Sequence, residues 1–203
     1  MKMEENKKEI RRVSFRPSLK RSDETTSSRT VEGYALLFDT PSDGLWFDEV
    51  IERGALDGVI EKSDVMAVLN HNVDRGVLAR SRNGEGSLTL IVDDTGLLYR
   101  FEAPNTALGD ELLENLRRGE VCESSFCFTV EKETWTFKEG ERDHRTIHKI
   151  DELFDVSPVY NGAYSATSVY TRGRDDPRNA ADEESRKQAQ LQAYFDETRK
   201  SMN

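Results

Sequence analysis

Histidine is scarce in this chain. Three stand in 203 residues, His71, His144 and His148, so any chemistry that needs an imidazole must use one of them. Cysteine is scarcer still. Cys122 and Cys127 fall in one short apolar segment, and on a strand they stand too far apart for disulfide geometry. A reduced, cytoplasmic setting is the expectation. No CxxC pair occurs, which excludes the common cysteine-based zinc frameworks. No run of about 18 apolar residues occurs either, which excludes a membrane-spanning helix. The first residues are basic and polar without an apolar stretch behind them, unlike a secretory signal. Glycine-rich phosphate loops are missing. Basic charge is in deficit, with 29 Lys and Arg against 39 Asp and Glu for a net of −10. A general nucleic-acid binder would carry the opposite balance.

The charge that is present is unevenly spread. Residues 1–30 hold nine basic and five acidic side chains, residues 172–203 seven of each, and the middle 13 against 27. An acidic body with a basic arm suits contact with its own kind or with a basic partner, and acidity also keeps a body in solution. Residues 1–30 show no apolar period and end in the polar run from Ser22 to Ser28, which reads as a flexible arm. At 35% hydrophobic, the chain can bury one ordinary core between such ends.

The body begins at Val31. Val31 to Phe38 reads as a strand that stops at the turn cluster Asp39-Thr40-Pro41-Ser42-Asp43-Gly44. Gly54-Ala55-Leu56 reads as the opening of a short helix. Val65 to Leu69 is a five-residue apolar run, the signature of a strand buried on both faces, with His71 just past its end. Leu88–Val92 and Leu98–Glu102 flank Asp93-Asp94-Thr95-Gly96, a hairpin signal. Leu108, Leu112, Leu113 and Leu116 recur at helical spacing between a capping Thr106 and a terminating Gly119. Val121 to Val130 is strand again, Trp135 to Ile150 a hairpin turning near Gly140, and Leu153–Val159 with Ser168–Tyr170 closes the core. Leu191, Tyr194 and Phe195 hint at an amphipathic helix in the charged tail. The expectation is a β-rich domain over residues 31–171.

Within it, Phe126, Phe128 and Val130 alternate with Ser125, Cys127 and Thr129. Strand geometry then turns Ser125 away from the core on a rigid element. A serine hydroxyl is barely ionised at neutral pH and needs a base. His71, fixed by the buried strand before it, is placed to be one, although a half-buried structural histidine would show the same pattern. His144 and His148 lie in a charged hairpin, where a solvated face is the simpler account. Their HxxxH spacing pairs metal ligands on a helix, but on a strand it separates them by about 13 Å. A catalytic imidazole also wants an acceptor on its second nitrogen. Asp151, Glu152 and Asp155 are near at hand in sequence, and Asp155, between Phe154 and Val156, has the most desolvated setting. Cys122 or Cys127 with a histidine would instead make a thiol protease. Residues alone stop there.

Several segments stand in a telling order: Gly33-Tyr34-Ala35-Leu36-Leu37-Phe38, Phe47-Asp48-Glu49-Val50-Ile51-Glu52-Arg53-Gly54-Ala55-Leu56 with its phenylalanine, glutamate and glycine-alanine, Val68-Leu69-Asn70-His71-Asn72, Leu116-Arg117-Arg118-Gly119 leading to Ser125-Phe126-Cys127-Phe128, and Asp151 to Val159 followed by Gly162-Ala163-Tyr164. Together they resemble the tailed-phage prohead protease family, whose fold is similar to that of the herpesvirus capsid maturation protease. The likeness covers about residues 31 to 171. Departures exist. Cys127 stands where the family has glycine, Ala79 replaces the glycine before Arg80, Gly162 replaces a proline, and Asp155 stands where glutamate is more frequent.

The resemblance implies an α+β fold with a mostly antiparallel, β-barrel-like core and a few surrounding helices, flanked by disordered or helical tails. It implies a serine endopeptidase domain at 31–171, between a basic arm at 1–30 and a charged tail at 172–203 open to self-cleavage. Ser125 would be nucleophile, His71 base and Asp155 third member, with Glu152 the alternative for that last role. Arg80 and nearby amides are candidates for holding the oxyanion. No cofactor or metal is called for. The implied substrate is the scaffolding segment of the phage major capsid protein, inside the assembling prohead in the host bacterial cytoplasm. The portal and further copies of this chain are candidate partners, and neither nucleic acid nor membrane is. A non-catalytic capsid assembly or scaffolding module on the same fold remains the rival reading.

Overall fold

The computed structural model describes residues 7–14, 16–19, 29–42 and 45–160. The chain divides into two units, Met1–Ala166 and Thr167–Asn203, and every described residue belongs to the first. The expected strand at Ser168–Tyr170, the helix hinted by Leu191, Tyr194 and Phe195, and the segment Gly162-Ala163-Tyr164 lie outside the described residues.

Two sheets and one helix make up the described body. In chain order the strands are β1 (Glu9–Val13), β2 (Ser18–Leu19), β3 (Thr30–Leu37), β4 (Asp48–Ile51), β5 (Asp64–Ala67), β6 (Ala79–Arg82), β7 (Glu85–Gly86), β8 (Leu88–Val92), β9 (Gly96–Glu102), β10 (Val121–Thr136) and β11 (His144–Tyr160), with helix α1 (Ala107–Arg118) before β10. The larger sheet runs β1-β10-β11-β5-β6-β7, with β4 also paired to β11. The smaller runs β2-β3-β9-β8. One apolar cluster takes side chains from both, including Leu36, Leu97 and Tyr99 from the smaller sheet and Phe126, Phe128 and Leu153 from the larger.

The long hairpin β10–β11 organises the larger sheet. Its 16 and 17 residues exceed the usual strand length of about 5–6, so β11 can serve several neighbours. One end pairs parallel with β4, from His144 opposite Asp48 to Ile147 opposite Ile51. The other pairs parallel with β5, Asp155 opposite Met66. The smaller sheet is antiparallel throughout. Its β8–β9 turn forms where the sequence signals it. Asp93 donates its N–H to the Gly96 carbonyl at 3.0 Å, and its carboxylate accepts from the amides of Thr95 and Gly96. Helix α1 likewise has its expected ends. The Thr106 hydroxyl accepts from the Gly109 amide at 3.2 Å, and Gly119 closes the helix at φ 79°, a left-handed conformation that costs glycine little. Leu112, Leu113 and Leu116 are its buried face.

Three expectations differ from the structure. The core is no closed barrel, because both sheets end on edge strands among the described residues. Alternating strands specify two faces each, whereas closure requires the first and last strands to pair, which no single-strand pattern encodes. Among the described residues the few helices reduce to α1 and a 3-10 turn at Val73–Arg75. At Gly54-Ala55-Leu56 the chain forms successive turns, with Ala55 N–H to Glu52 O and Val59 N–H to Leu56 O. Gly54 at φ 83° and Gly58 at φ 68° interrupt any helix there. Finally, inside the segment read as an arm, Glu9–Val13 forms β1 against β10, with Arg12 opposite Ser125. What orders it is the unpaired edge of β10, a partner that the segment's own pattern does not reveal.

Gly96 marks where the smaller sheet tolerates no side chain. It faces Leu37 in the β3–β9 ladder, and a Cβ there would stand 1.9 Å from the Leu36 carbonyl oxygen. A backbone oxygen held in a ladder cannot swing aside. Gly96→Ala should cost about 3 kcal/mol, read as a lower urea midpoint at unchanged slope. A shift worth under about 1 kcal/mol would mean that the ladder yields.

Candidate active site

His71 is delivered by the exit from β5. Val68 and Leu69 follow the strand fully buried, and the Asn70 amide is tied to the Pro158 carbonyl of β11 at 3.0 Å. The chain then turns sharply, with Asn70 at φ 55° and His71 at φ 56°. Two successive non-glycine residues in the left-handed region persist only where surroundings impose them. Asn72 completes the turn by accepting the Asp74 amide on its side chain. The result is an imidazole turned back toward Ser125 of β10 and Asp155 of β11.

There its Nε2 stands 2.5 Å from Ser125 Oγ and its Nδ1 2.7 Å from Asp155 Oδ1. Ser125 sits on β10 opposite Ser157 of β11. Asp155 is two residues before Ser157 on the same strand, and the Ser157 hydroxyl donates to Asp155 Oδ1 at 2.9 Å. The three residues thus come from three adjacent places in one sheet: β10, β11 and the end of β5. With a carboxylate on Nδ1, that nitrogen carries the proton and Nε2 presents its lone pair to the serine. Little water reaches the group. Ser125 is 0% exposed, and the side chains of His71 and Asp155 are 18% and 12% exposed. Low local dielectric strengthens each of these hydrogen bonds.

Strand alternation anticipates Ser125 on the face opposite Phe126 and Phe128, but not its burial. Both faces of this stretch are covered, Phe126 and Phe128 on one side and Ser125, Cys127 and Thr129 on the other. Irregularities in the pairing between Cys127 and Phe128 and between Thr129 and Val130 also interrupt the simple period. The Ser125 hydroxyl has a second neighbour as well, the backbone carbonyl of Arg11 on β1, at 2.7 Å.

The other candidates stand apart. Asp155, rather than Glu152, meets the imidazole. His148 is held between the Glu52 carboxylate and the Thr134 hydroxyl, and His144 stands opposite Thr136 of β10 and Asp48 of β4 in the ladders of β11. Arg80 forms a two-pronged ion pair with Asp64 at 2.6 and 2.5 Å. Both cysteines are free thiols. Burial, and then the Asp155 charge, push the Cys127 thiol up to about 11, which leaves it protonated and a poor nucleophile. Ser157 escaped sequence reasoning, although its two-residue offset from Asp155 is the signal that they share a face. Arg11 escaped it too, since a lone strand in a polar arm carries no mark of its partner.

A search of curated proteins finds no match. Among solved structures, the chain is similar to the bacteriophage T4 capsid assembly protease gp21, at 10% identity and a TM-score of 0.51, over 77% of this chain and 99% of that one. Identity this low speaks for a shared fold and no more. The family model for the caudovirus prohead serine proteases matches residues 17–179, a span that contains His71, Ser125 and Asp155 and most of the chain. This protein therefore belongs to the caudovirus prohead serine protease family.

Proposed function

We propose that the chain is a serine endopeptidase of capsid maturation in which Ser125 is the nucleophile, His71 the general base and Asp155 the residue that orients the imidazole. The observation that carries this reading is the continuous hydrogen-bonded path from Asp155 through His71 to Ser125, in a chain of a prohead protease family. His71 Nε2 takes the hydroxyl proton as Ser125 Oγ bonds to the substrate carbonyl carbon. The same proton passes to the departing amine as the peptide bond breaks. Water, deprotonated by His71, then releases the acyl group and restores the serine. Asp155 stays ionised throughout and stabilises the imidazolium. Ser157, by donating to Asp155, fixes which carboxylate oxygen faces the ring.

The proposed substrate is the scaffolding segment of the phage major capsid protein, cut inside the prohead in the host cytoplasm, with the portal and further copies of this chain as companions. The chain's own ends, within 1–30 and 172–203, are the second class of substrate. Both are polar in sequence, and β1 within the first already lies along the edge of β10 beside Ser125, so presenting it unfolds no core. Their tethering gives a millimolar effective concentration, to order of magnitude. The rival reading, a non-catalytic assembly module, draws on one observation: Ser125 is wholly buried.

Ser125→Ala and His71→Ala should each lower peptide hydrolysis by about 10⁶-fold, and the double variant should be hardly worse, because members of one catalytic unit fail together. Asp155→Asn should cost less, about 10⁴-fold, and fall mainly on kcat. Roughly additive losses in the double variant would separate Ser125 from His71. A fluorophosphonate should label Ser125 while a thiol reagent leaves Cys127 unmodified, as read from peptide masses. The assembly-module reading requires neither label nor hydrolysis. Co-expressed with its capsid protein, the wild type should shorten at its ends and Ser125→Ala should keep full length. Identical intact masses for the two would remove self-processing.

A further inference from the structure

Strand β1 lies along β10 in antiparallel register, Arg11 opposite Phe126 and Arg12 opposite Ser125. It covers the nucleophile and places the Arg11 carbonyl on its hydroxyl. An extended peptide added to a strand edge, one acyl group at the serine, is how a sheet presents a substrate. The Arg11 side chain points into a built pocket. It is 3% exposed, and its guanidinium meets both oxygens of Glu49 at 2.5 and 2.7 Å. Glu49, on β4, is 0% exposed, and the Phe128 ring lies 5.6 Å from the guanidinium carbon. Planar two-pronged pairing is what distinguishes arginine among cations.

The charge of the pocket fits the same occupant. Arg145 binds Glu49, Glu133 and Glu9, and Arg11 binds Glu9 as well as Glu49. Withdrawing β1 removes Glu9 and Arg11 together and leaves the net charge of the cluster unchanged. Buried Glu49 then loses the guanidinium that met both its oxygens and keeps only Arg145, which it shares with the part-exposed Glu133. The strand runs beside a cavity of ≈ 230 Å³ lined by Arg11, Arg12, Val13, Leu36, Pro41 and Phe126.

We infer that Glu49 forms the floor of a specificity pocket for a basic side chain, arginine first, immediately before the cut bond, and that Arg11 of β1 is its resident occupant and the enzyme's first substrate. The inference rests on the proposed protease reading and adds its substrate class. In the first cut Ser125 Oγ bonds to the Arg11 carbonyl carbon and His71 takes the hydroxyl proton. The Arg11–Arg12 bond breaks, and the Arg12 nitrogen receives that proton. Water then hydrolyses the ester, leaving Arg11 as a free carboxylate. Until then the hydroxyl has two acceptors for one proton, His71 and the Arg11 carbonyl. Donation to the carbonyl holds the strand in place, and donation to His71 frees the oxygen for attack. Past the cut, the chain remains held where Arg16 donates to the Leu116 carbonyl and where β2 pairs with β3.

The test uses the full chain and quenched fluorogenic peptides that differ only in the residue before the cut: arginine, lysine, leucine or glutamate. Arginine and lysine peptides should exceed leucine by at least about tenfold in kcat/KM. Glu49→Gln should erase that preference, with the arginine and lysine peptides falling to the leucine value. Intact-mass spectra of the incubated wild type should show a species beginning at Arg12, absent from Ser125→Ala. Should Glu49→Gln fail to fold, Arg11→Ala decides: cutting between residues 11 and 12 must stop in it, while Arg11→Lys keeps it. Ser125-dependent hydrolysis without a basic preference, or continued cutting between residues 11 and 12 in Arg11→Ala, overturns the pocket and leaves the protease reading standing. No Ser125-dependent hydrolysis of any peptide overturns both.

Discussion

Between Ser125 and Ser157 the backbones of β10 and β11 are held in antiparallel register, and nearly every feature of the candidate site is measured from that pairing. It fixes how far Ser125 stands from Asp155, because both distances along the strands are set by the ladder rather than by loops. It also explains the length of β11, whose far half pairs with β5 and so brings the exit toward His71 alongside. A site assembled from neighbouring strands of one sheet inherits the rigidity of the ladder, which is what positions reacting atoms to within fractions of an ångström. The single non-strand member, His71, is anchored from both sides instead, by the Asn70–Pro158 hydrogen bond and by the capped turn after it.

Electrostatics divides the sheet into two buried polar regions with different requirements. At the Ser125 end there is one carboxylate, Asp155, and it faces an imidazole that can gain or lose charge. At the Glu49 end the charges are permanent, with Arg11 and Arg145 among Glu9, Glu49 and Glu133. Burial alone would raise the Glu9 carboxyl, but the two guanidinium groups outweigh it and hold Glu9 below the usual carboxylate range. Removing one of the wholly buried partners, Arg11 or Glu49, singly costs several kcal/mol. Only β1 contributes a matched pair, one acid and one base, so only β1 can leave without stranding a charge of its own.

Much of this is legible in the sequence. The periodic leucines with Thr106 and Gly119 define α1 to its caps, since helix ends are local chemistry. The turn at Asp93–Gly96 is equally local. Ser125, His71 and Asp155 can be singled out by position, yet their convergence depends on β5 and β10 flanking β11, a long-range fact that comes only with the family resemblance. What stays hidden is pairing without pattern. The polar-basic stretch around Arg11 has no apolar alternation because β1 is stabilised by ladder hydrogen bonds and ion pairs, not by a greasy face. The missing barrel closure has the same origin, as edges are defined by which strand lacks a neighbour.

Because β1 belongs to the chain whose edge it covers, its hold on that edge is first order and dilution cannot loosen it. A strand from another protein must arrive by collision, whereas this one, until its Arg11–Arg12 bond is cut, is present at an effective concentration of roughly millimolar. Competition between them is therefore settled by how crowded the surroundings are. In free solution the tethered strand wins, and among densely packed partners the odds even out. The covering strand thus makes the exposure of this edge a gauge of local protein density, set by the length of chain between β1 and β2 rather than by any bound messenger.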